Sequence, residues 1–156
     1  MVGDVKLREV REEDLPIFFE HQLDPEATRM AAFPPRDREE FMAHWARILA
    51  DPTGPIRTVL AEGAVVGNIV CWKQSGQREV GYWIGRDHWG RGIATRALAI
   101  FLEEVKARPL YAHVAAHNLG SIRVLEKCGF TVDHRERGAS IRGSGEVDEL
   151  VMKLET

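Results

Sequence analysis

The sequence predicts an α+β fold: a mostly antiparallel sheet with inserted helices. Three observations lead there. Short runs alternate apolar and polar residues, as half-buried strands do. Runs with apolar residues at helical spacing separate them. One strand–helix–strand stretch, Arg78 to Ala115, allows a single parallel step.

Val5 to Val10 alternates apolar and charged residues and reads as a strand. Glu12, Glu13 and Asp14 precede Leu15-Pro16-Ile17-Phe18-Phe19, and acidic residues followed by an early proline signal a helix start. Asp24-Pro25 is expected to break that helix, and Phe33-Pro34-Pro35 to forbid another before Asp37. From Asp37 to Leu49 the residues Phe41, Trp45, Ile48 and Leu49 recur at helical spacing, which makes Trp45 a core residue. The Asp51-Pro52-Thr53-Gly54-Pro55 run stops that helix.

The middle of the chain turns to strand. Arg57 to Ala61 and Val65 to Trp72 flank the short turn Glu62-Gly63-Ala64. Gln74 to Gln77 makes the next turn. Arg78 to Ile84 is a third strand, with Val80, Tyr82 and Ile84 on one face and Glu79, Gly81 and Trp83 on the other. A loop rich in Gly and Arg, Gly85 to Gly92, leads into a helix over Ile93 to Lys106, stopped by Pro109. Leu110 to Ala115 reads as a strand and Ser121 to Cys128 as a short helix with Gly129 at its end. Thr131 to Arg135 and Glu146 to Leu154 are the last two strands, joined by a loop over Gly138 to Gly145.

The 156 residues are 44% hydrophobic and 29% charged, an ordinary globular composition. One domain over residues 1–156 is expected, since there is no repeat, low-complexity tract or linker. The net charge of −3 argues against a broad nucleic-acid surface. No run reaches the roughly 18–20 apolar residues that span a bilayer, and the N-terminus lacks a signal-peptide core, so no membrane partner is expected. Cys71 and Cys128 lack metal-site spacing, so neither a disulfide scaffold nor a metal site is expected, and a reducing cytoplasm fits. Exposed sheet edges admit a homodimer, although no heptad or clear apolar patch marks an interface.

The chemistry concentrates between Glu79 and Val105. Gly90 and Gly92 allow close backbone approach to a ligand. The unpaired first-turn amides of the following helix form an anion site, and Arg86 and Arg91 add positive charge. A phosphate or pyrophosphate is the natural ligand; the alternative is a loop whose glycines only turn the chain. Gly92 is followed by Ile93-Ala94, not Lys-Ser, which argues against a Walker A loop. Thr95 stands where a dinucleotide fingerprint needs a third small residue.

Trp89-Gly90-Arg91-Gly92-Ile93-Ala94 resembles the acyl-CoA loop of the GNAT acetyltransferases, usually Gln/Arg-x-x-Gly-x-Gly/Ala, with Trp89 at the first position. Asn118 to Phe130 resembles the Asn-x-x-Ser-x-x-x-x-Glu-Lys-x-Gly-Phe block of its ribosomal-protein N-terminal acetyltransferase branch. With Glu79 to Ile84, the two blocks span about a third of the chain in the expected order. The resemblance implies a single acetyltransferase domain, a GNAT-like sheet with two splayed parallel strands, Arg78–Ile84 and Leu110–Ala115, and acetyl-CoA as co-substrate. It implies that backbone amides of Arg91, Gly92, Ile93, Ala94 and Thr95 hold the CoA pyrophosphate. Trp83, Ile84 and Gly85 would pair with the pantetheine arm, Asn118 would hydrogen-bond it or the acceptor region, and Ser121 would lie near the sulfur.

The implied reaction moves an acetyl group to a primary amine, on a protein N-terminus or a small molecule, by direct attack in a ternary complex. The amine must be neutral, which is easier for an α-amine of pKa about 7.7–8 than for a lysine at about 10.4. Glu79 is the candidate base, with Gly81 on its face leaving room for substrate; the alternative is a solvated or salt-bridged edge carboxylate. His113 and His117 are further candidates. Leu125 stands where many relatives carry Tyr, so a tyrosine acid is not expected there, and Ser121 could donate to sulfur or simply start its helix. Trp83 or Trp89 could wall the acceptor site, and the N-terminal helices and the Gly138–Gly145 loop would shape its specificity. The competing functions are a non-catalytic acyl-CoA-binding or regulatory module on the same fold and, more distantly, a nucleotide-binding protein.

Overall fold

The computed structural model describes residues 4–32, 34–51, 54–139 and 146–156. The chain runs β1 (Val5–Glu9), a 3₁₀ turn (Glu12–Asp14), α1 (Leu15–Leu23), α2 (Pro25–Ala31), α3 (Arg38–Ala50), β2 (Ile56–Ala61), β3 (Ala64–Gln74) and β4 (Gln77–Ile84). A second 3₁₀ turn (Arg86–His88) leads to α4 (Ile93–Glu104), β5 (Leu110–Ala115), α5 (Leu119–Lys127), β6 (Thr131–Ala139) and β7 (Glu146–Leu154). The strands form one sheet in the order β1-β2-β3-β4-β5-β7-β6, antiparallel throughout except for β4 beside β5. The α+β expectation, its antiparallel character and its single parallel step all hold.

Turn chemistry sets the register. Glu62-Gly63 and Ser75-Gly76 all have positive φ, the signature of two-residue hairpin turns that match strand twist. They join β2 to β3 and β3 to β4 with Ala61 opposite Ala64 and Gln74 opposite Gln77.

Helices cover both faces of the sheet. On one, Ile93, Ala97, Leu98 and Phe101 of α4 pack with Val80, Ile84, Leu110 and Met152 in the main core. On the other, Leu15, Phe18, Phe41 and Trp45 of α1 and α3 form a second cluster against Val65 and Val70. Trp45 is 4% exposed, as its helical stripe predicts.

The structure corrects the sequence reading in three places. Asp24-Pro25 ends α1 but also begins α2. Asp24 is extended and accepts a 2.9 Å hydrogen bond from the Ala27 amide, and Pro25 occupies the first helical turn, where its missing N–H costs nothing. The helix expected from Ser121 begins at Leu119 instead, with Asn118 as its cap. β6 extends to Ala139 because it stays paired with β7, Ala139 opposite Glu146. Residues 140–145 of the expected loop lie outside the described residues. No described helix is long and apolar enough to cross a membrane.

Candidate active site

The wedge between β4 and β5 organises the site. Their parallel pairing covers only Arg78 opposite Leu110 and Glu79 opposite Tyr111. Beyond it β4 remains with β3 as far as Ile84, while β5 pairs with β7 along its whole length. Each strand obeys its antiparallel neighbour, and a gap opens between them.

A cavity of about 420 Å³ occupies this region. The strand end contributes Tyr82, Trp83 and Ile84, and the loop contributes His88, Trp89, Gly90 and Gly92. The first turn of α4 adds Ile93, Ala94 and Thr95; α5 and its cap add Asn118, Gly120, Ser121, Arg123, Val124 and Lys127. The remaining wall is α2, through Ala27, Met30 and Ala31.

At the loop end, Gly90 and Gly92 both have φ of +76°, and a Cβ on either would meet nothing within 4 Å. The conformation requires glycine, and the space above it is open. Gly92 is the N-cap of α4, and no side chain caps that helix. Its first-turn amides therefore lack a side-chain acceptor and carry the positive end of the helix dipole. This cradle suits a phosphate group.

The strand end is braced from both sides. The Gly85 amide donates to Val66 O at 2.8 Å, and the Trp89 indole donates to Ile84 O at 2.8 Å. A Cβ on Gly85 would lie 2.7 Å from His21 Nε2, so the His21 ring of α1 rests directly on this backbone. Burial above all pushes the His21 pKa below its ordinary value and favours the neutral ring.

Across the cavity, the Tyr82 hydroxyl lies 2.6 Å from Ser121 Oγ and 3.3 Å from the Ser121 carbonyl. Burial pushes the Tyr82 pKa up to about 12, so this phenol stays protonated. Asn118 Oδ1 accepts the Ser121 amide at 3.2 Å, so the Asn118 side chain serves as the α5 cap. Leu125 is 1% exposed and belongs to the core.

Glu79 shares its face of β4 with Trp83 but sits four residues before it, 3% exposed and outside the cavity lining. His113 Nε2 stands 3.2 Å from its Oε1, an ion-pair approach without good hydrogen-bond alignment. His113 Nδ1 is 2.9 Å from Glu149 Oε1. Glu149 first, and Glu79 second, push the His113 pKa up to about 10. His113 is thus an imidazolium at neutral pH and not a base. The space above Gly81 is also taken: a Cβ there would lie 3.2 Å from the Trp72 ring. His117 Nε2 meets the Arg29 carbonyl of α2 at 2.8 Å.

Of the residues expected at the site, Trp83, Ile84, Gly92, Ile93, Ala94, Thr95, Asn118 and Ser121 line one cavity. Arg91 is exposed in the adjoining loop, and Gly85 is buried beside it. Arg86 turns to α2 and pairs with Asp24 at 3.2 Å. Glu79 does not line the cavity. The sequence reading does not anticipate the α2 wall, although Asp24-Pro25-Glu26 carries the cap, proline and acidic first turn of a helix start. Nor does it anticipate the Tyr82–Ser121 contact, which joins residues 39 apart.

The chain is similar to known proteins in sequence and in fold. The Bacillus subtilis (strain 168) protein YjcK, named as an N-acetyltransferase, is 41% identical over 61 residues, covering 36% of this chain and 32% of its own length. YdaF of the same organism, named as a ribosomal N-acetyltransferase, is 29% identical over 107 residues, covering 64% of this chain and 58% of its own. The chain thus spans less than two thirds of either curated relative. The crystal structure of spermidine N-acetyltransferase from Vibrio cholerae, in complex with CoA and spermine, superposes with a TM-score of 0.83. That match covers 97% of this chain and 95% of the other at 17% identity, a likeness of fold. Residues 4–131 match the acetyltransferase (GNAT) domain, and the chain belongs to that family.

Proposed function

We propose that this chain transfers the acetyl group of acetyl-CoA to a primary amine by direct attack in a ternary complex. The observation that carries this reading is the cavity between β4 and β5, with an uncapped helix N-terminus at one end and the α2 wall at the other. The amides of Arg91 to Thr95 would hold the pyrophosphate, with Arg91 adding charge. Trp83, Ile84 and Gly85 would border the pantetheine, with Asn118 and Ser121 opposite. Family membership supports the acetyltransferase chemistry. When bound, the co-substrate supplies an acyl carbon already activated as a thioester.

The protein then has three tasks. It must orient the amine within attack distance, a contribution of up to about 7–11 kcal/mol in favourable cases. It must stabilise the developing oxyanion with fixed donors, for which the backbone at the end of β4 is available. It must also accept a proton. The N–C bond forms, the C–S bond breaks and the amine loses one proton. Glu79 enters this reading as its acceptor through water, because the carboxylate is set back from the cavity. Ser121, hydrogen-bonded to Tyr82, offers a donor to the departing thiolate. Free thiols at Cys71 and Cys128 fit a reducing, cytoplasmic setting.

The test is thiol release from acetyl-CoA against N-terminal peptides, amino acids, polyamines and aminoglycosides, with mass spectrometry of each product. A gain of one acetyl group on an amine is expected. Binding of acetyl-CoA without transfer to any amine would instead indicate a non-catalytic acyl-CoA module. Absence of acetyl-CoA binding would overturn the assignment of the cradle. An unchanged pH–rate profile in Glu79→Gln would remove Glu79 from the proton path.

A further inference from the structure

We propose that His113, Glu149 and Glu136 form a binding site for a divalent transition-metal ion of the zinc type, with Glu79 as the buried carboxylate that orients the His113 ring. None of these residues lines the cavity, and the site does not depend on the acetyltransferase reading.

Sheet register assembles the three ligands. β7 runs between β5 and β6, and its Glu149 stands opposite Ala115 on one side and Glu136 on the other. His113 lies two residues before Ala115 and therefore shares its face of β5. One ligand atom from each of His113, Glu136 and Glu149 lies within 4.8 Å of the other two, and among the described residues no other His, Cys, Asp and Glu side chains gather in this way. His113 Nδ1 is 2.9 Å from Glu149 Oε1, a separation that metal bonds of about 2.0–2.2 Å can span. All three side chains reach solvent, so an ion can enter. Imidazole and carboxylate together suit zinc better than magnesium or calcium. Cysteine spacing gives no hint of this site, because its ligands come from three strands.

Glu79 supplies the second observation. It reaches the ring from β4, is 3% exposed, and its buried Oε1 has no hydrogen-bond partner. That oxygen lies 3.2 Å from His113 Nε2. A metal-bound histidine almost always donates its other ring N–H to a carboxylate, carbonyl or water, which fixes the tautomer. Glu79 on Nε2–H leaves Nδ1 for the metal. Charge argues the same way. Glu136 and Glu149 stand directly opposite, an unfavourable pairing of like charges. The carboxylates of Glu79, Asp133, Glu136 and Glu149 outnumber the rings of His113 and His134 four to two. A dication offsets that surplus. On binding, the proton held between His113 Nδ1 and Glu149 leaves to solvent and the metal takes its place.

The test titrates zinc chloride into the full chain, first freed of metal with EDTA, by calorimetry. Wild type should bind one zinc per chain. Glu149→Gln and Glu136→Gln change exposed positions, and each should weaken binding by at least about tenfold, as should Glu79→Gln through the ring it orients. Circular dichroism checks that each variant is folded. Zinc should raise the Tm of wild type and leave that of Glu136→Gln in place. In long-range ¹H–¹⁵N spectra of the zinc-bound protein, His113 Nε2 should keep its proton and Nδ1 should lose it. Failure of wild type to bind zinc stoichiometrically, equal affinity in wild type and both exposed-site variants, or a proton retained on Nδ1 would each overturn the proposal. So would magnesium chloride binding as tightly as zinc, because that ion disfavours a ring nitrogen. None of these outcomes bears on acetyl transfer, which the amine panel tests separately.

Discussion

His113 Nε2 stands 3.2 Å from Glu79 Oε1, which joins β5 to β4 at the point where their pairing ends. With Glu149 on the other ring nitrogen, the imidazole lies between two carboxylates. Its pKa is about 10 in the folded chain, against about 6.5 unfolded. A raised folded-state pKa contributes stability that is full below pH about 6.5, declines above it and is gone beyond pH 10. His113→Gln can hydrogen-bond but never carries charge. Urea midpoints at pH 6.5, 8 and 9.5 should fall more steeply for wild type than for His113→Gln, and parallel slopes would refute the assignment.

Asp14 shows the opposite sign. Burial alone would raise its pKa, but Arg8 at 2.7 and 2.9 Å, the Arg11 amide at 2.8 Å and the Thr58 hydroxyl at 2.7 Å hold it at about 2. A depressed folded-state pKa contributes about 2 kcal/mol that is present above pH 4 and lost as pH falls through 2. Asp14→Asn leaves Arg8 partly buried without its counter-charge and should cost about 3 kcal/mol in denaturant unfolding. A loss below about 1 kcal/mol would show that the pair contributes little.

Gly85 and Gly67 separate side-chain from backbone crowding. At Gly85 the backbone is ordinary, with φ of −57°, and the obstacle is His21. Gly85→Ala should destabilise by about 1–3 kcal/mol, and adding His21→Ala should make that substitution cost less than half as much. At Gly67 a Cβ would lie 2.2 Å from the Trp83 carbonyl, which no side-chain truncation relieves. Gly67→Ala should cost about 3 kcal/mol in any background. Thermal unfolding of the single and double variants measures both effects.

Ser121→Ala removes the 2.6 Å contact to Tyr82 but leaves the Ser121 carbonyl at 3.3 Å. Stability should fall by about 1 kcal/mol and kcat by no more than about tenfold. Because the hydroxyls act as a pair, Tyr82→Phe with Ser121→Ala should lose less than the sum of the two. Additive losses in a double-mutant cycle on kcat would separate them, and complete loss in folded Ser121→Ala would make its hydroxyl essential.

Much of the sheet is legible in the sequence because strand periodicity and turn residues are local. The Leu110–Ala115 and Glu146–Leu154 strands have the expected bounds. The Gly90–Thr95 cradle is legible for the same reason: positive φ at glycine and an uncapped helix start are properties of adjacent residues. α2 is illegible when Asp24-Pro25 is taken only as a helix stop, since an Asp-Pro pair can end one helix and cap the next. Boundaries drift where pairing decides them, as in β6, which follows β7 to Ala139.

The sequence by itself determined the fold class, the single parallel crossover and the glycine loop that leads into the uncapped α4, because each follows from short-range periodicity and backbone sterics. Tertiary structure alone decided what the titratable and polar groups can do. Glu79 and Gly81 share a strand face, as predicted, but His113 neutralises the one and the Trp72 ring covers the other. Tyr82 finds Ser121, and Trp83 finds no partner. Protonation and hydrogen bonding depend on neighbours tens of residues away in the chain, and only packing fixes those distances.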